Sequence, residues 1–171
     1  MFVRPPLPAM VFALASLALV AAARAEEAIP IAEATAPPTL VEQASSSLGD
    51  TLERALDLVG IRYRRGGTSP QTGFDCSGYV GHVFRQGLGL VLPRSAREMS
   101  RTGEPVAKGE LQPGDLVFFN TMRRAFSHVG IYLGDNLFIH APRTGGKVRV
   151  EDLRDSYWGK RFNGARRVSG E

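Results

Sequence analysis

The chain carries, between residues 63 and 80, the stretch Tyr63-Arg-Arg-Gly-Gly-Thr-Ser-Pro-Gln-Thr-Gly-Phe-Asp-Cys76-Ser-Gly-Tyr-Val80, which holds its only cysteine. The spacing of the apolar residues that follow predicts a helix beginning at Cys76, with one side formed by Val80, Val83 and Phe84. Gly87 is predicted to end this helix. The cysteine is therefore expected at the junction of a loop and a helix.

The residues next to Cys76 favour a reactive thiol. Asp75 is a good N-cap, and Phe74 is placed to pack against Tyr79 as a hydrophobic staple. A cysteine in the first turn of a helix meets unpaired backbone N–H groups and the positive end of the helix dipole, which favour the nucleophilic thiolate. The alternative is an inert, buried cysteine. Because Asp75 and Ser77 are polar, the sequence favours the reactive interpretation.

The first 25 residues resemble an export signal, which predicts a periplasmic or secreted protein. Arg4 precedes an apolar run at 9–23, and Ala23-Arg24-Ala25 fits the small-x-small cleavage pattern, so cleavage is expected near Ala25. The alternative is an uncleaved membrane anchor, but the run is shorter than the roughly 20 residues that a span needs. No stable membrane anchor is therefore expected.

Charge and composition predict a flexible linker followed by one domain. Without residues 1–25 the chain has 19 basic and 17 acidic residues, and it lacks a basic block with interleaved aromatic residues, so nucleic-acid binding is not indicated. Residues 26–47 are rich in Ala, Pro, Thr, Ser and Glu and are predicted to be a flexible linker. Residues 48–171 are predicted to form a single domain.

Helical patterns come first in this domain and strand patterns follow, which predicts an α+β fold. The first helix has an apolar stripe, with Ser46 or Ser47 as its cap and Gly60 at its end; the stripe is Leu48, Leu52, Ala55, Leu56 and Val59. A short helix is predicted at 95–101. About five strands of an antiparallel sheet are predicted at 116–120, 127–133, 137–141, 147–151 and 161–168.

The predicted hairpin around Gly134-Asp135-Asn136 carries His128 and His140. Pairing Leu133 with Leu137 makes one face wholly apolar and puts both histidines on the other face, close enough to interact. A two-residue turn would shift the register by one residue and separate the histidines, unless a bulge corrected it.

These residues have the chemistry of a cysteine-protease triad. Cys76 would be the nucleophile, His128 its base and His140 the group that orients the base. The backbone N–H of Cys76 and the hydroxyl of Tyr63 are candidate donors to an oxyanion. His82 lies about 240° around the helix from Cys76 and is interpreted as a structural or surface residue. A competing hypothesis makes the same Cys76, His128 and His140 zinc ligands.

Five segments together resemble the NlpC family of cell-wall cysteine peptidases, and the resemblance runs from about residue 48 to residue 168. They are Gly66-Gly-Thr-Ser-Pro-Gln-Thr-Gly-Phe-Asp-Cys-Ser-Gly78, Leu92-Pro-Arg-Ser95, Pro113-Gly-Asp-Leu-Val-Phe-Phe119, Ser127-His-Val-Gly-Ile-Tyr-Leu-Gly134 and Phe138-Ile-His-Ala141.

The resemblance implies a papain-like α+β fold that hydrolyses amide bonds in peptidoglycan stem peptides or their cross-links, without a metal or other cofactor. It implies that Cys76 is the nucleophile, His128 the base and His140 the third polar residue. The implied substrate-binding residues are Tyr63, Asp75, Ser77, Arg94 and Ser95. A monomer is expected.

Several points remain open at the level of sequence. An N-acetylmuramoyl amidase or an acyltransferase on a related scaffold would share the nucleophile and the base, and a non-catalytic wall-binding module is the alternative from another class. Met99 stands where a Gln is common in similar sequences, which bears on a substrate subsite. Stem peptides carry carboxylates, so one hypothesis is that Arg94, Arg123 or Arg124 binds one of them. The alternative is that Arg123 and Arg124 form a solvated loop tip.

Overall fold

The structure is a computed structural model that describes residues 39–121 and 124–169. The predicted signal peptide, residues 26–38 of the predicted linker, and Arg123 lie outside the described residues. The helices are α1 (Leu40–Asp57), α2 (Cys76–Leu88), α3 (Ala96–Met99) and α4 (Ser156–Gly159), with a 3-10 turn at Lys108–Glu110. The strands are β1 (Thr68–Ser69), β2 (Gly73–Phe74), β3 (Glu104–Val106), β4 (Leu116–Phe119), β5 (His128–Gly134), β6 (Leu137–His140), β7 (Arg149–Asp152) and β8 (Phe162–Arg167).

The predicted α+β class is confirmed, with a main sheet of six strands in the order β3-β8-β4-β5-β6-β7. All neighbouring strands in it are antiparallel, and β1 and β2 pair separately as a small ribbon. The sequence predicted about five strands. The additional strand is β3, which has three residues, contains Pro105 and lies at the sheet edge, where proline is tolerated.

The main sheet buries apolar side chains on both faces. One face packs against α1 and α2 through residues that alternate along β4, β5 and β6: Leu116, Phe118, Val129, Ile131 and Ile139. The other face forms a second core with the side chains of Val117, Phe119, Tyr132, Phe138 and Trp158. Strands covered on both sides carry nearly continuous apolar runs, as Leu-Val-Phe-Phe in β4 does.

Helix α1 begins earlier than the sequence predicted. Its N-cap is Thr39 rather than Ser46 or Ser47, and Thr39 forms a reciprocal capping box with Glu42. Residues 40–47, part of the predicted linker, are therefore helical. The first turn is held by this cap and not by a core, because Leu40 and Val41 are exposed. Apolar periodicity alone could not reveal it.

Helix α2 begins where the sequence predicted and ends at Leu88, with Gly89 rather than Gly87 as the residue that stops it. The side chain of Asp75 accepts a hydrogen bond from the N–H of Gly78, and the Phe74 and Tyr79 rings meet edge to face at 5.7 Å. The helix stops at Gly89, a left-handed C-cap with φ of 69°. Gly87 lies inside the helix, where α1 approaches so closely that a Cβ would come 2.2 Å from Thr51 Oγ1.

The β5–β6 hairpin has the corrected register that brings its histidines together. Ile131 pairs with Ile139 as predicted, but Leu137 pairs with Gly134 rather than with Leu133. The turn is the two-residue type, since Asp135 and Asn136 both have positive φ, and a bulge between Tyr132 and Gly134 restores the pairing beyond it.

Asp115 fixes the entry to β4. Its carboxylate accepts the N–H of Gln112 and is held by two hydrogen bonds of 2.8 Å from Arg167 in β8.

Among the described residues, no helix combines the length and hydropathy that a membrane span requires.

Candidate active site

Cys76 occupies the first turn of α2, partly buried against the core between the helix and the sheet. Helix α2 packs against β5, and the backbone N–H of Val129, the residue after His128, is close enough to the Cys76 sulfur to favour its thiolate. Burial and the neighbouring Asp75 carboxylate raise the pKa of the Cys76 thiol, although the N–H groups of Val129, Ser77 and Cys76 act against them. The expectation of a lowered pKa is therefore wrong: desolvation and Asp75 outweigh the helix N-terminus.

The two histidines of the β5–β6 hairpin, His128 and His140, are hydrogen-bonded to each other. His128 Nε2 lies 2.6 Å from His140 Nδ1, and the rings are almost perpendicular at 86°. Both side chains are buried. Burial and the proximity of His140 hold the pKa of His128 well below its usual range, and burial also lowers the pKa of His140. Both rings are therefore neutral near pH 7, and Nδ1 of His128 is the nitrogen not engaged by His140.

Glu151 in β7 extends the pair on its far side and was not predicted from the sequence. Its Oε1 lies 3.7 Å from His140 Nε2, so the interaction is electrostatic rather than a short hydrogen bond. Glu151 also accepts hydrogen bonds from Trp158 Nε1 and Arg149 Nε. The contact with His140 and these two bonds lower the pKa of Glu151 to about 2, against the opposing effect of burial.

Trp158 in α4 packs against the whole histidine pair. Its ring stacks on His128 with centroids 5.7 Å apart and meets His140 edge to face at 4.9 Å. Phe119 and Phe138 complete the aromatic surroundings of the two imidazoles. Packing of this kind fixes the orientation of both rings and keeps them in an apolar environment, which agrees with their lowered pKa values.

Tyr63 is near enough to Cys76 for the sulfur to affect the ionisation of its phenol. Its backbone N–H donates to Gly146, and it forms an isolated bridge with Phe74. Partial burial and the proximity of Cys76 and Asp75 raise the pKa of the Tyr63 phenol. The hydroxyl therefore stays protonated near neutral pH and is available as a hydrogen-bond donor.

Asp75, Ser77 and Arg94 form one hydrogen-bonded cluster beside Cys76. The guanidinium of Arg94 bonds both carboxylate oxygens of Asp75, at 3.0 and 2.7 Å, and bonds Ser77 Oγ at 2.8 Å. Burial acts to raise the pKa of Asp75, but the bonds from Arg94 and from the N–H groups of Gly78 and Gly66 hold it below its usual range. Arg94 is thus engaged by a carboxylate of the protein itself.

Other residues singled out in the sequence have structural contacts. Ser95 is the N-cap of α3 and forms a capping box with Glu98, and Met99 is fully buried in the core. His82 lies on α2 with its ring 5.1 Å from that of Phe74, in agreement with a structural role. Arg124 is exposed. Because Met99 packs in the core of the domain, the presence of Met where a Gln is common affects core packing.

A cleft of about 720 Å³ opens beside the histidine pair. Tyr63, His128 and Trp158 are part of its wall; the charged lining residues are Arg65, Arg143, Arg149, Glu151 and Asp155. Cys76 is not on this wall, but it is close enough to Tyr63 to affect the ionisation of the phenol. The volume lies within the range of small-ligand sites.

The geometry offers no support for the zinc hypothesis. Within residues 39–121 and 124–169, no three His, Cys, Asp or Glu side chains converge closely enough to hold a metal ion. His128 and His140 instead use facing ring nitrogens for each other.

Fold and site together match one family of proteins. A sequence model described as the NlpC/P60 family matches residues 60–167, which include Cys76 and both hairpin histidines. The chain belongs to the NlpC/P60 family. The resemblance noted in the sequence is thereby confirmed.

Similar proteins of known name are bacterial hydrolases, and two of those described next are named murein endopeptidases. The chain is 42% identical over 120 residues to the murein DD-endopeptidase MepH of Escherichia coli K12, a match that covers 68% of this chain and 44% of MepH. It is 44% identical over 117 residues to MepS, named murein DD-endopeptidase and murein LD-carboxypeptidase, of the same strain, with 68% and 61% covered. A gamma-DL-glutamyl hydrolase of Bacillus subtilis is also 44% identical over 117 residues, with 68% of this chain and 28% of the hydrolase covered. The matches thus span less than two thirds of these relatives.

Solved structures agree with the family. A crystal structure of an NlpC/P60 family protein from Bacillus cereus matches with a TM-score of 0.65 and 35% identity, covering 70% of this chain and 39% of that one. The peptidoglycan hydrolase RipB of Mycobacterium tuberculosis matches with a TM-score of 0.63 and 28% identity, covering 75% and 68%.

Proposed function

We propose that this protein is a cysteine endopeptidase that hydrolyses amide bonds in peptidoglycan stem peptides or their cross-links. The observation that supports the proposal is the packing of α2, which begins with Cys76, against β5, which begins with His128. The N–H of Val129, next to His128, acts on the pKa of the Cys76 thiol, and His128 is hydrogen-bonded to His140 at 2.6 Å. The names of the murein-cleaving relatives support the choice of substrate.

In the proposed mechanism Cys76 attacks the carbonyl carbon of the scissile amide. The thiol proton passes to Nδ1 of His128 as the sulfur–carbon bond forms, and the carbonyl oxygen becomes an oxyanion. The backbone N–H of Cys76 and the hydroxyl of Tyr63 donate to that oxyanion. The His128 imidazolium then protonates the leaving amine, the C–N bond breaks, and a thioester remains. His128 takes a proton from water, which hydrolyses the thioester and releases the acid and the Cys76 thiol.

The resting site is proposed to hold a neutral thiol and a neutral imidazole. The raised pKa of Cys76 and the lowered pKa of His128 both oppose a preformed thiolate–imidazolium pair. Charge separation therefore accompanies the attack on substrate, and His140 stabilises the imidazolium by accepting a hydrogen bond from His128 Nε2.

Substrate binding is proposed to involve the cleft and the cluster beside Cys76. Tyr63 belongs to the cleft wall, whereas Asp75 and Ser77 are joined by Arg94. Because both terminal nitrogens of Arg94 already donate to Asp75, Arg94 is assigned to holding Asp75 and Ser77 in place for substrate. Ser95 is assigned to the same side of the site as the neighbour of Arg94.

The cellular setting follows from the proposed substrate. Peptidoglycan lies outside the cytoplasmic membrane, so the protein acts in the periplasm or after secretion, with residues 1–25 as a signal peptide cleaved near Ala25. Residues 48–171 would act as a monomeric catalytic domain without a cofactor.

Mass analysis of the products from purified peptidoglycan tests the function. The proposal predicts new termini within stem peptides or at their cross-links, while the glycan strands keep their attached L-Ala. Release of whole stems from muramic acid would show the amidase instead. Incorporation of an added amine without net hydrolysis would show the acyltransferase, and wall binding without products would show a non-catalytic module.

A further inference from the structure

The histidine pair raises a question of proton placement. His128 Nε2 and His140 Nδ1 are 2.6 Å apart, and only one of these two nitrogens carries the shared proton when both rings are neutral. If His128 Nε2 carries it, Nδ1 of His128 has a free lone pair and is a base. If His140 Nδ1 carries it, Nδ1 of His128 is protonated and cannot accept the thiol proton.

The group that faces the far side of His140 decides between these arrangements. His140 Nε2 is buried and has no hydrogen-bond partner in the described part of the chain, but Glu151 Oε1 is 3.7 Å away. A carboxylate attracts an N–H and repels a lone pair, so His140 carries its proton on Nε2. Its Nδ1 is then the acceptor, and His128 Nε2 is the donor.

The remaining contacts of Glu151 require an ionised carboxylate. Trp158 Nε1 donates to one of its oxygens, and Arg149 Nε donates to the other, which also faces His140. Three N–H groups therefore converge on Glu151. A carboxylate has two acceptor oxygens for them, whereas an amide would turn its NH₂ group towards at least one of these donors.

The register of the sheet places Glu151 at this position. Strand β7 pairs with β6 so that Arg149 lies opposite His140 and Glu151 opposite Phe138, which puts Glu151 on the same face as the imidazole. Asp152, the next residue, projects to the other face and is bonded to Arg154. The strand thus carries two adjacent carboxylates, of which one reaches the histidines.

We propose that Glu151 is a positioning residue that fixes the tautomers of His140 and His128 so that His128 Nδ1 is the free base. The inference rests on the proposed function, since it assigns Glu151 to the same reaction. It adds a fourth member to the arrangement of Cys76, His128 and His140, one that acts only through His140.

Two readouts test the role of Glu151 in the full-length protein. Nitrogen-15 NMR of the imidazoles reports the tautomers directly, and the chain has only three histidines to assign. The parent protein should show both His128 and His140 protonated on Nε2. In Glu151→Ala and in Glu151→Gln the pair should shift towards protonation on Nδ1. Unchanged tautomers in these variants would overturn the proposal.

Kinetics on a stem peptide give the second readout. Glu151→Gln, which keeps the size of the side chain, should lower kcat about tenfold with little change in KM, the scale of one lost charge-assisted interaction. The acid limb of the pH profile should move to lower pH, because Glu151 raises the pKa of both histidines. Other groups also act on these two pKa values. Arg149 lowers the pKa of His140, and His140 lowers the pKa of His128. Cys76 approaches the pair from α2.

Asp152→Asn is the matched control, since it removes the same charge from the same strand without touching the pair. Its tautomers and kinetics should equal those of the parent. If Glu151→Gln behaves like this control in both readouts, Glu151 is only structural. If Glu151→Ala fails to fold, Glu151→Gln decides the matter. If the parent protein cleaves no stem peptide, the proposed function fails, and the NMR measurement still decides which tautomers Glu151 sets.

Discussion

At the scale of single residues, burial keeps the Cys76 thiol and the His128 imidazole uncharged. Cys76 sits at a helix N-terminus, but the apolar surroundings and Asp75 favour the thiol over the thiolate. The aromatic packing around His128 favours the neutral imidazole. Charge is thus proposed to form only when substrate is attacked, at a point where backbone N–H groups and the His140 ring are already in place.

This description predicts how Cys76 reacts with iodoacetamide. The labelling rate should rise with pH through an apparent pKa above the free-thiol value of about 8.5, because a raised pKa leaves less thiolate at neutral pH. Asp75→Asn should lower that apparent pKa, since it removes the negative charge next to the sulfur. Stopped-flow measurements of the labelling rate from about pH 5 to about pH 11 would give the titration curve of the Cys76 thiol.

Asp152→Asn provides the control for the labelling experiment, because its carboxylate is bonded to Arg154 and should leave the titration of Cys76 unchanged. A labelling rate that is already constant from about pH 6 upward would contradict the account. That result would indicate a preformed thiolate–imidazolium pair, as the helix N-terminus alone had suggested.

At the scale of secondary-structure elements, α2 is held against its neighbours by close contacts at both ends. Helix α2 packs against β5, where the Val129 N–H acts on the Cys76 thiol, and near its end Gly87 meets Thr51 of α1. The hydroxyl of Tyr79 also donates to Ala55 in α1, at 2.8 Å. The position of the nucleophile therefore depends on the packing of α2 between α1 and the sheet.

Substituting the helix glycines tests this packing. Gly87→Ala should lower the free energy of unfolding by about 1–3 kcal/mol, because the added Cβ would come 2.2 Å from Thr51 Oγ1. Gly49→Ala, in α1 with nothing within 4 Å of its Cβ, should instead raise stability by about 0.5–1 kcal/mol through helix propensity. Urea unfolding of both variants makes the comparison. Equal stability of Gly87→Ala and the parent would show that α1 does not pack on α2 as described.

At the same scale, the apolar alternation in the sequence predicted one feature of the β5–β6 hairpin and missed another. The alternation of apolar residues predicted which faces of β5 and β6 hold the histidines, and that prediction is confirmed. The pairing of Leu133 with Leu137 was wrong, because the chain turns through Asp135 and Asn136 and then bulges. A bulge leaves no fixed mark in the sequence, since it depends on the balance between turn geometry and burial on both faces.

At the scale of the whole molecule, features that depend on neighbouring residues could be predicted from the sequence, whereas contacts between residues distant in sequence could not. Local signals found Cys76, its Asp75 cap and the α+β order of elements. Glu151 was missed because its approach to His140 depends on the register of β6 with β7, strands joined by a loop without a diagnostic turn. The engagement of Arg94 by Asp75 was also missed, because it joins residues 19 positions apart that flank α2 and the loop after it.

The central claim of the account is that Cys76 is the nucleophile for hydrolysis of peptidoglycan stem peptides. Its most direct test is the rate at which purified Cys76→Ala releases stem-peptide fragments, compared with the parent protein. The account predicts a loss of at least about a thousandfold, with the circular dichroism spectrum unchanged, because a partly buried thiol contributes little to the core. Release of the same fragments at the parent rate by a folded Cys76→Ala protein would contradict it.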